Sequence, residues 1–212
     1  MDSDYTEKRM EYIKSRSILE KANNFSLELN PFPHLIIQNA LPQELANTLT
    51  KNFPISSFQA NANNTRFDIS ASKLSEIKDL ANPWKEFIKF HTSQEFFYEL
   101  IKIFGNEIIK KNDRYFSSLA DLQNMRVGTR NIDSLENCDI FLDTQISINS
   151  AVQSKGTVRK VHTDHTNKLF SGLLYLRQPN DNSEGGALNL YKWKEGYTEK
   201  DKVKHYTMKF NS

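Results

Sequence analysis

Residues 160–193 read KVHTDHTNKLFSGLLYLRQPNDNSEGGALNLYKW, in which short runs of branched and aromatic residues alternate with Gly, Pro, Asn and Asp. Runs of the first kind predict strands, and the residues between them predict turns. The same texture begins upstream, in the segment IFLDTQISIN at residues 140–149. The sequence therefore predicts a β-rich region that starts after residue 138.

Helices are predicted in the N-terminal part of the chain. Pro42 is favourable in the first turn of a helix, and the predicted apolar face of that helix comprises Leu41, Leu45, Leu49 and Phe53. Residues 4–29, rich in Glu, Lys, Arg, Leu and Ala, predict an exposed helix that lies against another part of the protein. Between these two helices, residues 34–38 predict a short strand. After the second helix, residues 54–70 predict a long loop.

A second helical region is predicted from Pro83 and Trp84 onward. Thr92 and Glu95 form a capping-box pattern for the next helix, and Gly105 predicts its end. The apolar stripe of that helix is predicted to belong to the core, and it comprises Phe96, Phe97, Leu100, Ile101 and Phe104.

Helices followed by strands, with no alternating βαβ pattern, predict an α+β fold. In that fold the N-terminal helices pack on an antiparallel sheet or jelly roll. A chain of 212 residues is long enough for one good core, so a single domain is expected over residues 1–212. Residues 1–137 would form a mainly helical support region, and residues 138–212 a partial jelly-roll core.

The composition argues against several classes of protein. The net charge of +2 is small and evenly spread, so a nucleic-acid partner is not indicated. The single cysteine, Cys138, excludes an internal disulfide framework and favours a reducing, cytoplasmic location. The N-terminus is charged where a signal peptide needs an apolar run, and no apolar stretch is long enough to predict a membrane span.

His162 and Asp164 are the most distinctive candidates for metal ligands. On a strand, these two residues would project to the same face, whereas Thr163 and His165 would face the other way. One imidazole and one carboxylate are two members of the facial triad that holds Fe(II) in nonheme oxygenases, and the third ligand would be a second histidine. A structural histidine bonded to a neighbouring carboxylate would give the same pattern.

A zinc hydrolase is an alternative for the same residues, since Asp164 and His165 resemble the end of the His-x-His-x-Asp-His motif of metallo-β-lactamase-like enzymes. That motif needs a histidine where this chain has Lys160. His34 and His91 lie in the helical region and are predicted to be packing residues.

The segment around His162 resembles the 2-oxoglutarate- and Fe(II)-dependent oxygenases, in particular their prolyl 4-hydroxylase-like branch. The resemblance spans residues 140–211. In that family the His-x-Asp strand is followed by a strand like LLYL, a polar turn and a Gly-Gly strand, which correspond to residues 173–176, 178–183 and 185–188. The opening PFPHLIIQNALP, which ends at Pro42, is similar to the entry segment of many such enzymes.

The resemblance implies a jelly-roll dioxygenase that uses Fe(II), 2-oxoglutarate and dioxygen. It places His162 and Asp164 as the first two iron ligands. Tyr175 matches a tyrosine whose hydroxyl reaches 2-oxoglutarate, and Leu188 matches an aliphatic residue that lines the same pocket. The implied reaction oxidises a substrate C–H bond and decarboxylates 2-oxoglutarate to succinate. The substrate, a peptide or a small molecule, is not indicated by the sequence.

Two features of the family have no matching position in the chain. They are the distal histidine and the Arg or Lys that pairs with the far carboxylate of 2-oxoglutarate. His205 precedes the landmark KFN at residues 209–211 instead of following it, so it is not assigned as the distal ligand. We therefore expect a C-terminally incomplete oxygenase that binds its metal weakly.

Two alternatives to a complete enzyme follow from this pattern. A degenerate jelly roll could bind a sugar, a peptide or a partner protein without catalysis. Alternatively, a second chain could supply the missing strands and restore the triad. An incomplete jelly roll leaves strand edges that pair with another chain or lead to self-association.

Overall fold

The structure of the chain is a computed structural model. It describes residues 16–55, 63–150, 162, 164–165, 167–177, 181–182, 184, 188–193 and 200–201. The described helices are α1 (Gln43–Lys51), α2 (Ala71–Ser75), α3 (Asn82–His91), α4 (Gln94–Lys111) and α5 (Leu119–Gln123). None of these helices has the length and apolar composition needed to cross a membrane.

The described strands are β1 (Arg66–Ile69), β2 (Val127–Thr129), β3 (Ile140–Leu142), β4 (Ile146–Asn149), β5 (Lys192–Trp193) and β6 (Lys200–Asp201). They form three two-stranded sheets. β1 and β4 are antiparallel, β2 and β3 are parallel, and β5 and β6 are antiparallel. The protein is therefore α+β, as predicted, and the described strands do not close into a barrel.

The order of helices and strands differs from the prediction. β1 lies within residues 54–70, which the sequence predicts as a loop, and β2 precedes residue 138. β1 is short, and its partner β4 is distant in the chain, with Arg66 opposite Asn149. Strand formation depends on such cross-strand packing more than on the local sequence. Residues 56–62 of the predicted loop lie outside the described residues.

The predicted helices α1 and α3 are confirmed. α1 begins directly after Pro42, and α3 has Pro83 in its first turn. The indole N–H of Trp84 donates to the carbonyl of Leu49 at 3.0 Å, which joins the two helices. The predicted apolar face of α1 lies in this core, either buried or packed against it: Leu41, Leu45, Leu49 and Phe53.

The cap of α4 lies one residue later than predicted. The backbone N–H of Phe96 donates to the hydroxyl of Ser93 at 3.3 Å, so Ser93 is the N-cap. The hydroxyl of Thr92 instead donates to the carbonyl of Ile88 at 2.9 Å, at the end of α3. The Thr92–Glu95 capping box is therefore wrong.

Gly105 does not end α4, because the helix continues to Lys111. A Cβ atom at Gly105 would collide with the side chain of Leu119 at the start of α5. The glycine therefore allows close approach of two helices. The predicted core stripe of α4 is confirmed, since its members are buried or packed against the core: Phe96, Phe97, Leu100, Ile101 and Phe104.

The described part of the N-terminal segment, residues 16–29, contains a 3₁₀ turn at Ala22–Asn24 instead of the predicted α-helix. The segment does lie against another part of the protein, as predicted. The backbone N–H of Ile18 donates to Nε2 of His91 in α3 at 3.2 Å. Residues 4–15 lie outside the described residues.

Residues 34–38 do not form the predicted strand. Their backbone pairing consists of one isolated antiparallel bridge between His34 and Glu28. The cis peptide bond between Asn30 and Pro31 lies in the loop that this bridge closes.

The predicted strand over residues 170–177 is not assigned as a strand either. Its side chains nevertheless alternate as they do in a half-buried strand. Leu174 and Leu176 pack against the core cluster that contains Trp84, whereas Leu173 is 51% exposed. The segment is therefore held to the core through every second side chain.

Candidate functional site

The candidate metal ligands His162 and Asp164 both lie in the described part of the chain, and both are exposed. Neither residue is in a strand, and the same holds for His165. The prediction of a strand is therefore wrong at these positions, while residue 163 lies outside the described residues. Strand geometry therefore does not place the two side chains on one face, and their contacts describe their surroundings instead.

Asp164 accepts two polar contacts on the same carboxylate oxygen. The hydroxyl of Ser171 donates to Oδ2 at 2.5 Å, and Nζ of Lys168 lies 3.3 Å from the same atom. The Ser171 hydrogen bond is the main reason that the pKa of Asp164 lies below its ordinary value. Partial burial raises the pKa of Asp164, whereas Lys168 and His162 lower it further. Asp164 is therefore a carboxylate at neutral pH.

A tight turn brings Lys168 back onto Asp164. The backbone N–H of Lys168 donates to the carbonyl of His165 at 3.0 Å, and the N–H of Asn167 lies 3.3 Å from His165 Nδ1. This turn begins at His165, directly after the end of the predicted strand at Asp164. It also engages one ring nitrogen of His165 in local backbone structure.

Tyr175, the candidate 2-oxoglutarate residue, is 38% exposed. Partial burial raises the pKa of its phenol, and the positive charge of Arg66 partly offsets that rise. The phenol is therefore protonated at neutral pH and able to donate a hydrogen bond. Its neighbours Leu174 and Leu176 fix its backbone against the core.

Arg66, in β1, carries a positive charge that acts on the Tyr175 phenol, and the sequence pattern did not single it out. Its Nε donates to Oδ1 of Asp68 at 2.6 Å, and its Nη2 donates to the hydroxyl of Ser147 at 2.9 Å. Ser147 in turn donates to the same Asp68 oxygen at 2.5 Å, across the β1–β4 pair. The only sequence signal would have been a strand at residues 66–69, which is where a loop was predicted.

Leu188, the candidate pocket-lining residue, is half-buried. The predicted strand over residues 186–193 is assigned among the described residues only at Lys192–Trp193. The Gly-Gly pair at residues 185–186 lies outside the described residues, as does His205. Most of the predicted polar turn, residues 178–180 and 183, lies outside them too.

Among the described residues, no group of three or more His, Cys, Asp or Glu side chains is arranged to hold a metal. His162 and Asp164 would therefore contribute two protein ligands. Two shallow surface depressions lie elsewhere, one beside Phe53 and Leu80 and the other beside Phe25 and Ile36.

The two histidines of the helical region are packing residues, as predicted. His91 is buried, its Nδ1 donates to the carbonyl of Phe87 at 2.8 Å, and burial lowers its pKa to about 4. His34 is also buried, and its Nδ1 donates to the carbonyl of Phe32 at 2.8 Å. Neither side chain is placed to act as the second histidine of a facial triad with His162.

Comparison of the chain with protein-family models, with curated proteins and with solved structures gives no match.

Proposed function

We propose that the protein is a 2-oxoglutarate- and Fe(II)-dependent dioxygenase of the hydroxylase type, similar to the prolyl 4-hydroxylase-like branch. The observation that carries the proposal is the environment of Asp164. Its carboxylate is held through Oδ2 by the Ser171 hydroxyl and the Lys168 ammonium, and both Asp164 and His162 are exposed. A metal approaching from solvent would meet an imidazole and a carboxylate together.

The donor set suits Fe(II), because imidazole nitrogen and carboxylate oxygen are the ligands of the nonheme iron triad. Both described contacts of Asp164 are made by Oδ2, which leaves Oδ1 as the oxygen for a metal bond. With two protein ligands, water completes the coordination, and the metal is held more weakly than by three. We therefore expect measurable but weak binding.

Tyr175 and Arg66 are proposed to hold the anionic co-substrate. The protonated phenol of Tyr175 would donate a hydrogen bond to a carboxylate of 2-oxoglutarate. Arg66 would add positive charge at the same place, since its charge already acts on the Tyr175 phenol. Leu188 would contribute an apolar wall.

The chemistry supplied on the metal is the reaction of 2-oxoglutarate and dioxygen with a substrate C–H bond, which gives succinate, carbon dioxide and the hydroxylated substrate. The residues of the chain orient the reactants and keep the charged co-substrate in one pose. A jelly-roll arrangement of residues 138–212 belongs to the same proposal. The antiparallel β1–β4 and β5–β6 pairs are compatible with it.

The test is an anaerobic titration of the protein with Fe(II) and 2-oxoglutarate, followed by exposure to dioxygen. We expect a weak visible absorption band from the iron–2-oxoglutarate complex, and succinate on addition of dioxygen. Tyr175→Phe should weaken 2-oxoglutarate binding while leaving metal binding unchanged. A protein that gives neither band nor succinate would contradict the proposal.

A binding module without catalysis is the second candidate, favoured by the lack of a third metal ligand among the described residues. If a second chain supplies that ligand, succinate formation should appear only when the two chains are mixed. If no metal binds under any of these conditions, the binding module is the better description.

A further inference from the structure

We propose that Ser171 is a positioning residue that fixes the carboxylate of Asp164, so that Oδ2 is held by the protein and Oδ1 alone binds the metal. This inference rests on the proposed function, because it concerns how one of its two ligands is oriented. It predicts a single metal–oxygen bond from Asp164 rather than a bidentate one.

The two carboxylate oxygens of Asp164 differ in their contacts. The Ser171 hydroxyl and the Lys168 ammonium both contact Oδ2, at 2.5 Å and 3.3 Å. A carboxylate has lone pairs on both oxygens, so contacts to one oxygen leave the other able to bind a cation. A hydrogen bond to the non-ligating oxygen is the usual way in which a protein orients a carboxylate ligand.

Asp164 needs such support to hold one orientation. Its side chain is 37% exposed, it is not in a strand, and the terminal torsion of an aspartate has no narrow rotamer preference. Without a partner, the carboxylate would sample many orientations. Each of these would present a different oxygen, or none, toward a metal shared with His162.

Ser171 is well placed to supply this support. Directly before it, Phe170 packs against the core cluster formed around Phe97, and three residues later Leu174 packs against the cluster formed around Trp84. The backbone at Ser171 is therefore anchored on both sides. A short side chain on an anchored backbone holds its partner more firmly than a long one does.

Lys168 contacts the same oxygen but differs from Ser171 in two ways. Its side chain is 51% exposed and flexible, and ion pairs of this kind contribute little. Its positive charge also lies beside the position proposed for a divalent cation, which it would repel. Ser171 and Lys168 should therefore affect metal binding in opposite directions.

The experiment is a titration with Mn(II), a stand-in for Fe(II) that is stable in air, with free Mn(II) measured by electron paramagnetic resonance. For Ser171→Ala we expect a dissociation constant about 10- to 100-fold higher than that of the unmodified protein, the range found for the loss of such supporting contacts. Ser171→Thr keeps the hydroxyl and should restore most of the affinity. Lys168→Gln should bind Mn(II) at least as tightly as the unmodified protein.

Ser147→Ala is the matched control, because Ser147 makes a hydrogen bond of the same length, 2.5 Å, to a different aspartate, Asp68. It should leave Mn(II) affinity unchanged. The thermal midpoint of Ser171→Ala should match that of the unmodified protein, since Ser171 is exposed.

Two results would overturn the inference, and they are distinguishable. If Asp164→Ala loses Mn(II) binding while Ser171→Ala binds as tightly as the unmodified protein, Ser171 has no positioning role and the proposed function stands. If the unmodified protein binds Mn(II) no better than Asp164→Ala does, the metal site itself is wrong and the inference fails with it.

Discussion

At the scale of single residues, the fold favours the charged form of one ionisable side chain and the neutral form of another. The ionised form of Asp164 is favoured at the surface by the Ser171 hydroxyl and the Lys168 ammonium. His91 is kept neutral in the core, where its two ring nitrogens bond to backbone groups of Phe87 and Ile18. The first arrangement suits a ligand, and the second suits a structural histidine.

The pKa of His91 predicts how the stability of the protein depends on pH. Burial lowers this pKa from 6.5 to about 4, so the unfolded state binds a proton more readily than the folded state between these values. The contribution of neutral His91 to the free energy of unfolding is complete above pH 6.5 and is lost as the pH falls toward 4. The loss is about 3 kcal/mol, since each pKa unit corresponds to about 1.4 kcal/mol. Urea unfolding at a series of pH values measures it.

His91→Gln provides the control for this prediction. The variant should be less stable than the unmodified protein at pH 7, and its stability should change less between pH 6.5 and 4. A variant with the same pH dependence as the unmodified protein would show that other groups cause the effect.

At the scale of secondary structure, the three longer helices were predicted, as were the positions of β3, β4 and β5, whereas α2, α5, β1, β2 and β6 were not. α1, α3 and α4 carry apolar residues at helical spacing over two or more turns, and this signal survives in any tertiary context. The described strands are two to four residues long, too short for an alternating pattern to stand out. β1 depends on β4 for its hydrogen bonds, and a local pattern cannot reveal such a partner.

The contact between α4 and α5 gives a prediction for Gly105. Leu119 meets any Cβ placed there, and Ile101 lies 3.7 Å away. Alanine is a weak test because the end of the Leu119 side chain can rotate, so Gly105→Val is the sharper change. We expect it to lower the free energy of unfolding by about 1–3 kcal/mol, the usual cost of overpacking.

Gly172→Val is the matched control in the same denaturation experiment. A Cβ at Gly172 meets no atom within 4 Å. Its effect should stay within about 0.5 kcal/mol, as expected for an exposed position. Equal losses for the two variants would contradict the close approach of α5 to α4.

The alternation along residues 171–177 gives a second prediction at this scale. Leu174 and Leu176 pack against the core, and Leu173 is 51% exposed. Leu174→Ala or Leu176→Ala should cost about 2 kcal/mol, near the low end for core leucines because both are only partly buried. Leu173→Ala should cost much less. If all three variants lose the same stability in urea unfolding, the segment does not face the core as described.

At the scale of the whole molecule, the proposed site draws on parts of the chain that are far apart in sequence. The resemblance to a family identified His162, Asp164, Tyr175 and Leu188, which lie within one short stretch. It gave no hint of Arg66, whose charge acts on Tyr175 and which lies in β1, paired with the distant β4. Lys168 could have been noticed from its spacing to Asp164. The contact of Ser171 with Asp164 joins residues on either side of the turn at His165 and Lys168, and no local sequence pattern reveals such a contact.

The most direct test of the account is a comparison of divalent metal affinity among three alanine variants, measured by equilibrium dialysis against Fe(II) under anaerobic conditions. His162→Ala and Asp164→Ala should each abolish binding, because either change leaves one protein ligand. His165→Ala should retain most of the affinity, since the Nδ1 atom of His165 is engaged in its own turn. Equal affinity in all three variants and in the unmodified protein would contradict a metal site at His162 and Asp164.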